Sequence, residues 1–155
     1  MLYEIGDKVL DEWVITRTIG EGSYGKVVEI ERNEFGLSMK SALKIISIPG
    51  NNSEIRAVMG EGIDNKSITS YFYGFVEEII KEIAIMSELK GHTNIVTYED
   101  HRVIPHQDHI GWDILIRMEL LTSLLDYSEE HEITEQTVIK LGTDILTALK
   151  VCQKY

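Results

Sequence analysis

The 155-residue sequence predicts an α+β fold in which three strands precede one long helix and two further strands follow it. Short β-branched runs bounded by turn residues are typical of strands, and apolar residues at helical spacing between residues 72 and 89 indicate the long helix. The 43% of apolar residues is enough for a hydrophobic core in one domain or a little more.

Three strands are predicted within the first 48 residues. Residues 13–19 and 26–32 are rich in β-branched side chains and flank a glycine-rich turn. A hairpin turn at residues 33–36 leads to a third strand over residues 39–48, which ends where Pro49 begins a polar stretch.

The rest of the chain predicts the long helix, two strands and a final helix. Residues 51 to about 70 are polar and predict a partly helical insertion. The long helix follows this insertion, and Gly91 is expected to cap its carboxyl-terminal end. Strands are expected at residues 94–98 and 112–118, joined by a polar loop. Thr134 can cap a last helix that is apolar on two sides and therefore predicts burial on two sides, Cys152 included.

Charge and cysteine content exclude several classes of protein. A net charge of −11 argues against binding to nucleic acid and against adsorption to anionic lipid. The single cysteine, Cys152, excludes a disulfide framework and fits a reduced setting. We find no apolar run of about 18 residues and no signal pattern at the start, so we expect a cytoplasmic protein without membrane contact by this segment.

The glycine-rich turn matches two kinds of phosphate-binding site. The spacing of Gly20, Gly22 and Gly25 also fits the dinucleotide fingerprint, in which a helix opens at the third glycine. Residues 26–30 are a poor helix start and a good strand, which favours a hairpin covering phosphates. A hairpin that merely needs positive φ is the structural alternative.

Lys44 lies in an apolar strand segment, where a lysine either extends to solvent or serves a buried anion. Burying an ammonium group costs several kcal/mol unless it is paired, so a carboxylate should meet it.

The residues Gly20-Glu21-Gly22-Ser23-Tyr24-Gly25-Lys26-Val27, followed by Ala42-Leu43-Lys44, resemble the amino-terminal lobe of bacterial eukaryotic-like (Hanks-type) Ser/Thr protein kinases. The resemblance implies a five-stranded antiparallel sheet with a long αC helix. It also implies an N-terminal extension (1–10), the lobe itself (11–118, with an insertion at about 49–70), and a hinge with the first one or two helices of the second lobe (119–155).

The resemblance also assigns the site. Lys44 and Glu82 would form the catalytic ion pair that orients the lysine towards the α- and β-phosphates, with Glu77, Glu78 and Glu88 as competitors for the role of Glu82. Met118 would be the gatekeeper, and backbone groups of the hinge would face adenine. The residues implied for cofactor binding are Ile19, Gly20, Gly22, Ser23, Gly25, Val27, Ala42, Lys44, Met118, Glu119 and Leu121.

The implied cofactors are ATP and Mg²⁺, and the implied partner of the full-length parent is a protein substrate. The catalytic Asp and the magnesium ligands of such kinases would follow Tyr155, so we expect this chain alone to be inactive. A non-catalytic pseudokinase or scaffold module is the alternative, and a nucleotide-dependent oxidoreductase domain is a third, disfavoured one.

Two further expectations concern surfaces. His101, His106, Asp108, His109 and His131 are interpreted as surface residues, and no metal site is expected. The apolar residues of the last helix would pack against a second lobe, so we expect a homodimer or a swapped assembly through residues 120–155.

Overall fold

The computed structural model describes residues 3–22, 25–59 and 64–155. In these residues the strands are β1 (Lys8–Val9), β2 (Trp13–Gly22), β3 (Gly25–Glu34), β4 (Leu37–Ile48), β5 (Tyr98–Pro105) and β6 (Trp112–Met118). The helices are α1 (Asn52–Met59), α2 (Asn65–Glu88), α3 (Leu124–Glu130) and α4 (Glu135–Cys152). All strand pairs are antiparallel, in the order β1-β2-β3-β4-β6-β5. The fold class is therefore α+β, as predicted.

The sheet has six strands, so the expectation of five is wrong. The additional strand is β1, which pairs with β2 through Lys8–Val14 and Val9–Trp13. Leu10 and Asp11 make the turn between them with φ values of 45° and 71°. A two-residue strand has no measurable periodicity, and this turn contains no glycine, so neither usual signal is present in the sequence.

The turn predicted at residues 33–36 is confirmed. Glu34 pairs with Leu37, and the two residues between them, Phe35 and Gly36, have φ values of 48° and 82°. Two consecutive positive φ values match the right-handed twist of the flanking strands in a two-residue hairpin.

The strand predicted at residues 94–98 begins four residues later, at Tyr98, and runs to Pro105. Asn94 has a φ of 65° and belongs to the turn that follows α2. β5 lies at the edge of the sheet, and its residues Glu99–Arg102 are partly or fully exposed. That polar composition made the strand look like a loop.

Two hydrophobic cores lie on opposite faces of the sheet, as the alternation of β4 demands. Leu43 and Ile45 point to one core, which also contains Trp13 and Ile15; we call this side the back face. Ile46 and Ile48 belong to the second core, together with Ile68, Phe72 and Val76 of α2. We call that side the helix face.

Helix α2 begins earlier than its apolar pattern predicts. Asp64 caps it by accepting hydrogen bonds from Lys66 N (2.9 Å) and Ser67 N (3.0 Å), so the helix starts at Asn65 rather than Phe72. The predicted insertion is indeed partly helical, since it contains α1 and the first turn of α2. Ile55 and Val58 of α1 pack against the helix-face core.

Helix α4 is capped by Thr134, as predicted, through a bond from Thr137 N to the Thr134 hydroxyl (3.2 Å). The prediction of burial on two sides is wrong for the described part of the chain, because no α4 residue is buried there and Cys152 is exposed. None of the described helices is both long and apolar enough to cross a bilayer.

Candidate functional site

The three glycines lie in the hairpin between β2 and β3. Gly22 pairs with Gly25, and Gly20 pairs with Val27. A strand follows Gly25, as predicted, so the helix that a dinucleotide fingerprint requires is absent from this described segment. Ser23, which the resemblance places in the site, lies outside the described residues.

The reason for having glycine differs among the three positions. Gly25 has a φ of 105°, and a Cβ built there would lie 2.2 Å from the backbone oxygen of Ile45. The fold itself therefore requires Gly25. A Cβ at Gly20 or Gly22 would meet no atom of the described residues within 4 Å, and neither glycine has a positive φ. The space beside these two glycines is open for a ligand.

Lys44 lies on the helix face, half-buried between Leu43 and Ile45, which point to the back face. It pairs with Val27 on one side and with Ile116 on the other. Paired residues of antiparallel strands point to the same face, so Gly20, Val27, Lys44 and Ile116 form one row across four strands.

Lys44 and Glu82 line the same cavity, whose volume is about 1180 Å³. Gly22 and Gly25 line it too, and the volume is sufficient for a small-molecule ligand. No hydrogen bond or ion pair joins Lys44 to Glu82 among the described residues, and Glu82 is exposed. The competitors Glu77, Glu78 and Glu88 do not contribute to the cavity wall.

Val27 and Ala42, two of the three residues expected to cover adenine, lie on the same face but outside this cavity. Ala42 is buried and pairs with Met118, one row away from Lys44. Ile19, which is 40% exposed, sits at an irregularity between Thr18 and Gly20. The structure thus gathers most of the predicted residues on one side of the sheet. The predicted residues that the cavity wall lacks are Ile19, Gly20, Val27, Ala42, Met118, Glu119 and Leu121.

The expected hinge follows β6. Glu119 N donates to Thr97 O (3.0 Å), and Thr97 N donates to the Glu119 carboxylate (2.6 Å), so this side chain secures the start of β5. Leu121 is 60% exposed. Its backbone N–H and C=O bond to no other described residue.

A buried polar cluster on the back face was missed by sequence reasoning. Asp113, which is 1% exposed, accepts hydrogen bonds from Ser47 Oγ (2.7 Å) and Tyr3 OH (3.0 Å). His106 Nε2 lies 3.0 Å from Asp113 Oδ1, and the His106 side chain is only 11% exposed. The interpretation of His106 as a surface residue is therefore wrong. The available signal was Asp113 itself, a carboxylate within an apolar strand.

The protonation of this cluster follows from its contacts. Burial alone would raise the pKa of Asp113, but the hydrogen bonds from Ser47, His106 and Tyr3 hold it below its ordinary value. Burial, followed by the nearby Asp113 carboxylate, raises the pKa of Tyr3. Asp113 is thus ionised and Tyr3 is a neutral donor at physiological pH.

A second buried carboxylate, Glu29, lies on the helix face and was also missed. Lys40 Nζ (2.9 Å) and Arg17 Nε (2.8 Å) contact its two oxygens. The hydrogen bond from Lys40 lowers the pKa of Glu29 and outweighs the effect of burial, with a further contribution from Arg17. Because Glu29 pairs with Ala42 and Ala42 pairs with Met118, Glu29 lies in the same row as these two residues.

Comparison with known proteins gives a weak and partial similarity. No protein-family model matches the chain. A curated protein of Saccharomyces cerevisiae, Serine/threonine-protein kinase AKL1, is 34% identical to it over 86 residues. The match covers 52% of this chain and 8% of that protein, so the chain spans a small fraction of this relative's length. The similarity suggests a kinase-related function.

Proposed function

We propose that this chain is the ATP-binding amino-terminal lobe, with hinge, of a Ser/Thr protein kinase. Its full-length parent would transfer the γ-phosphoryl group of ATP to protein serine or threonine. The observation that carries the proposal is the register that aligns Gly20, Val27 and Lys44 in one row of the helix face, with Glu82 on the wall of the same cavity as Lys44.

The residues suit the phosphates of ATP. The open space beside Gly20 and Gly22 lets backbone N–H groups approach phosphate oxygens, and Lys44 supplies a positive charge from the adjoining strand. Mg²⁺ would neutralise the phosphates, held by residues of the parent beyond Tyr155, and we assign no metal ligand to this chain. The chain alone would lack phosphoryl-transfer activity.

Glu82 would act by pairing with Lys44 when α2 moves towards the sheet. The two side chains share a cavity wall but are unpaired here, which is the arrangement expected of an inactive kinase lobe. The adenine ring would lie against Ile19, Val27 and Ala42, beside Met118. The Glu119 carbonyl and the Leu121 backbone groups would face its edge.

Nucleotide titration tests the proposal. A fluorescent ATP analogue is titrated into the wild-type chain, Lys44→Met and the control Lys90→Met, whose lysine is exposed beyond α2. A hydrogen bond to a charged group contributes about 1.5–3 kcal/mol, so Lys44→Met should weaken binding by about 10- to 100-fold while the control binds normally. Equal binding by all three proteins, or displacement of the analogue by NADH but not by ATP, would overturn the proposal.

The second candidate is a non-catalytic pseudokinase or scaffold lobe located, like the first, in the cytoplasm. It is favoured by α4, which exposes Ile139, Leu146 and Leu149 and so offers an apolar surface to a partner. A phosphorylation assay on the parent protein separates the two candidates. Transfer that is lost in Lys44→Met supports the enzyme, and its absence in an otherwise ATP-binding parent supports the scaffold.

A further inference from the structure

The segment before β1 crosses the back face of the sheet and contacts three strands. Gly6 N donates to Ile15 O (2.9 Å), and Ile15 N donates to Asp7 O (3.0 Å), which attaches the segment to β2. Tyr3 OH donates to Asp113 of β6, and Lys26 Nζ of β3 donates to the Tyr3 carbonyl (2.9 Å). We call residues 3–7 the N-terminal brace.

The side chain of Tyr3 is held by a buried carboxylate. Asp113 is buried in the middle of the sheet and also binds Ser47 of β4 and His106 of the β5–β6 connection. Hydrogen bonds to an ionised, buried acceptor are stronger than neutral ones. The Tyr3 hydroxyl is therefore fixed relative to the central strands rather than to the hairpin.

The main chain of the same residue, Tyr3, holds the base of the glycine hairpin through the bond from Lys26 Nζ to its carbonyl. Lys26 directly follows Gly25 and pairs with Ile45, which belongs to the back-face core. Its neighbour Val27 pairs with Lys44 on the opposite face. Lys26 therefore lies on the back face and Lys44 on the helix face, and both residues line the same cavity.

We propose that the brace positions the glycine hairpin at the wall of the cavity that Lys44 and Glu82 line, with Tyr3 and Lys26 as positioning residues for nucleotide binding. The inference rests on the proposed function for its effect on nucleotide affinity. When Tyr3 loses its hydroxyl, the link from Lys26 to Asp113 is broken, and the hairpin gains freedom to move away from the cavity wall that Gly22 and Gly25 line. Apparent affinity then falls in proportion to the fraction of molecules with the hairpin in place.

The experiment compares Tyr3→Phe with the control Tyr127→Phe. Tyr127 lies in α3, remote in sequence from the hairpin, and its ring stacks on that of His131. The first readout is hydrogen exchange without nucleotide. Tyr3→Phe should accelerate exchange at residues 18–22 and 25–28 several-fold and leave β5 unchanged. The second readout is the Kd for the ATP analogue, which should rise by about 3-fold if one third of the molecules retain the hairpin in place.

Lys26 supplies a rescue test. Lys26→Met removes the donor to the Tyr3 carbonyl and should reproduce both effects of Tyr3→Phe, whereas Lys26→Arg keeps a donor and should restore them towards wild type.

Unchanged hairpin exchange in Tyr3→Phe would overturn the brace, and so would faster exchange spread evenly over all strands, since that is general destabilisation. If the wild-type chain binds no nucleotide, the proposed function fails. The exchange comparison still decides whether the brace holds the hairpin.

Discussion

The glycines of the β2–β3 hairpin show how one motif can serve folding and binding at neighbouring positions. Gly25 is imposed by its positive φ and by the approach of the Ile45 carbonyl. Gly20 and Gly22 meet neither requirement, so a different reason must account for them. The proposed phosphate site is such a reason.

Alanine substitutions separate the two roles. Gly25→Ala should lower the free energy of unfolding by about 2 kcal/mol or more, because it combines left-handed strain with a backbone clash. Gly22→Ala should change that free energy by less than about 0.5 kcal/mol and weaken nucleotide binding several-fold. Urea unfolding and nucleotide titration measure the two quantities. Equal destabilisation by both substitutions would contradict the assignment.

The ionisation of Asp113 makes the free energy of unfolding depend on pH. Its pKa in the folded chain lies below its ordinary 3.8, so its contribution to stability is complete above that value and is lost as the pH falls through the lowered pKa. We expect Asp113→Asn to be less stable than wild type near neutrality, with a difference that shrinks as the pH drops below about 4. Urea unfolding at a series of pH values checks this. The exposed Asp108→Asn serves as the control, and a difference independent of pH would refute the role of the charge.

Single side chains were predicted from the sequence only where a motif accompanied them. Lys44 and Asp113 carry the same signal, a charge inside an apolar strand. Lys44 was recognised because the glycine turn precedes it. The partners of Asp113 lie up to 110 residues away in the chain, and no local pattern connects Tyr3 to β6.

Strand and helix order was largely predictable, since β2, β3, β4, α2 and β6 all have clear periodicity. The failures were at the edges of the sheet. β1 is too short to show a periodic pattern. In β5 the polar and charged residues 99–102 interrupt the alternation of apolar and polar side chains that is typical of a strand. Edge strands have fewer buried neighbours, so fewer of their positions need apolar residues and their sequences show a weaker hydrophobic pattern.

Helix α4 predicts association of the chain. Its apolar residues Val138, Leu146 and Leu149 are 57%, 68% and 54% exposed. Covering such side chains is worth about 1.5–3 kcal/mol each, so we expect concentration-dependent dimers or larger species through residues 120–155. Sedimentation should show that Leu146→Glu shifts the chain towards monomer, while Lys150→Glu on the same helix does not. A clean wild-type monomer at high concentration would exclude this.

Across the whole molecule, the cavity is assembled from segments far apart in the chain. Tyr3, Lys44, Glu54, Glu82 and His109 all line it. The kinase resemblance proposes Lys44 and Glu82 as a pair, and both residues line this cavity. The absence of an ion pair between Lys44 and Glu82 could not be predicted from the sequence, because the distance between α2 and β4 depends on how helix, insertion and sheet pack together.

The alternation of β4 also limits how this protein can change its length. Pairing shifted by a single residue would turn Leu43 to the helix face and bury the charge of Lys44 among Trp13 and Ile15 of the back-face core. Insertion or deletion of one residue between positions 37 and 44 should therefore be selected against. Insertions near residue 60 do not change which face each β4 side chain occupies. Indels in related genes should accordingly cluster after α1.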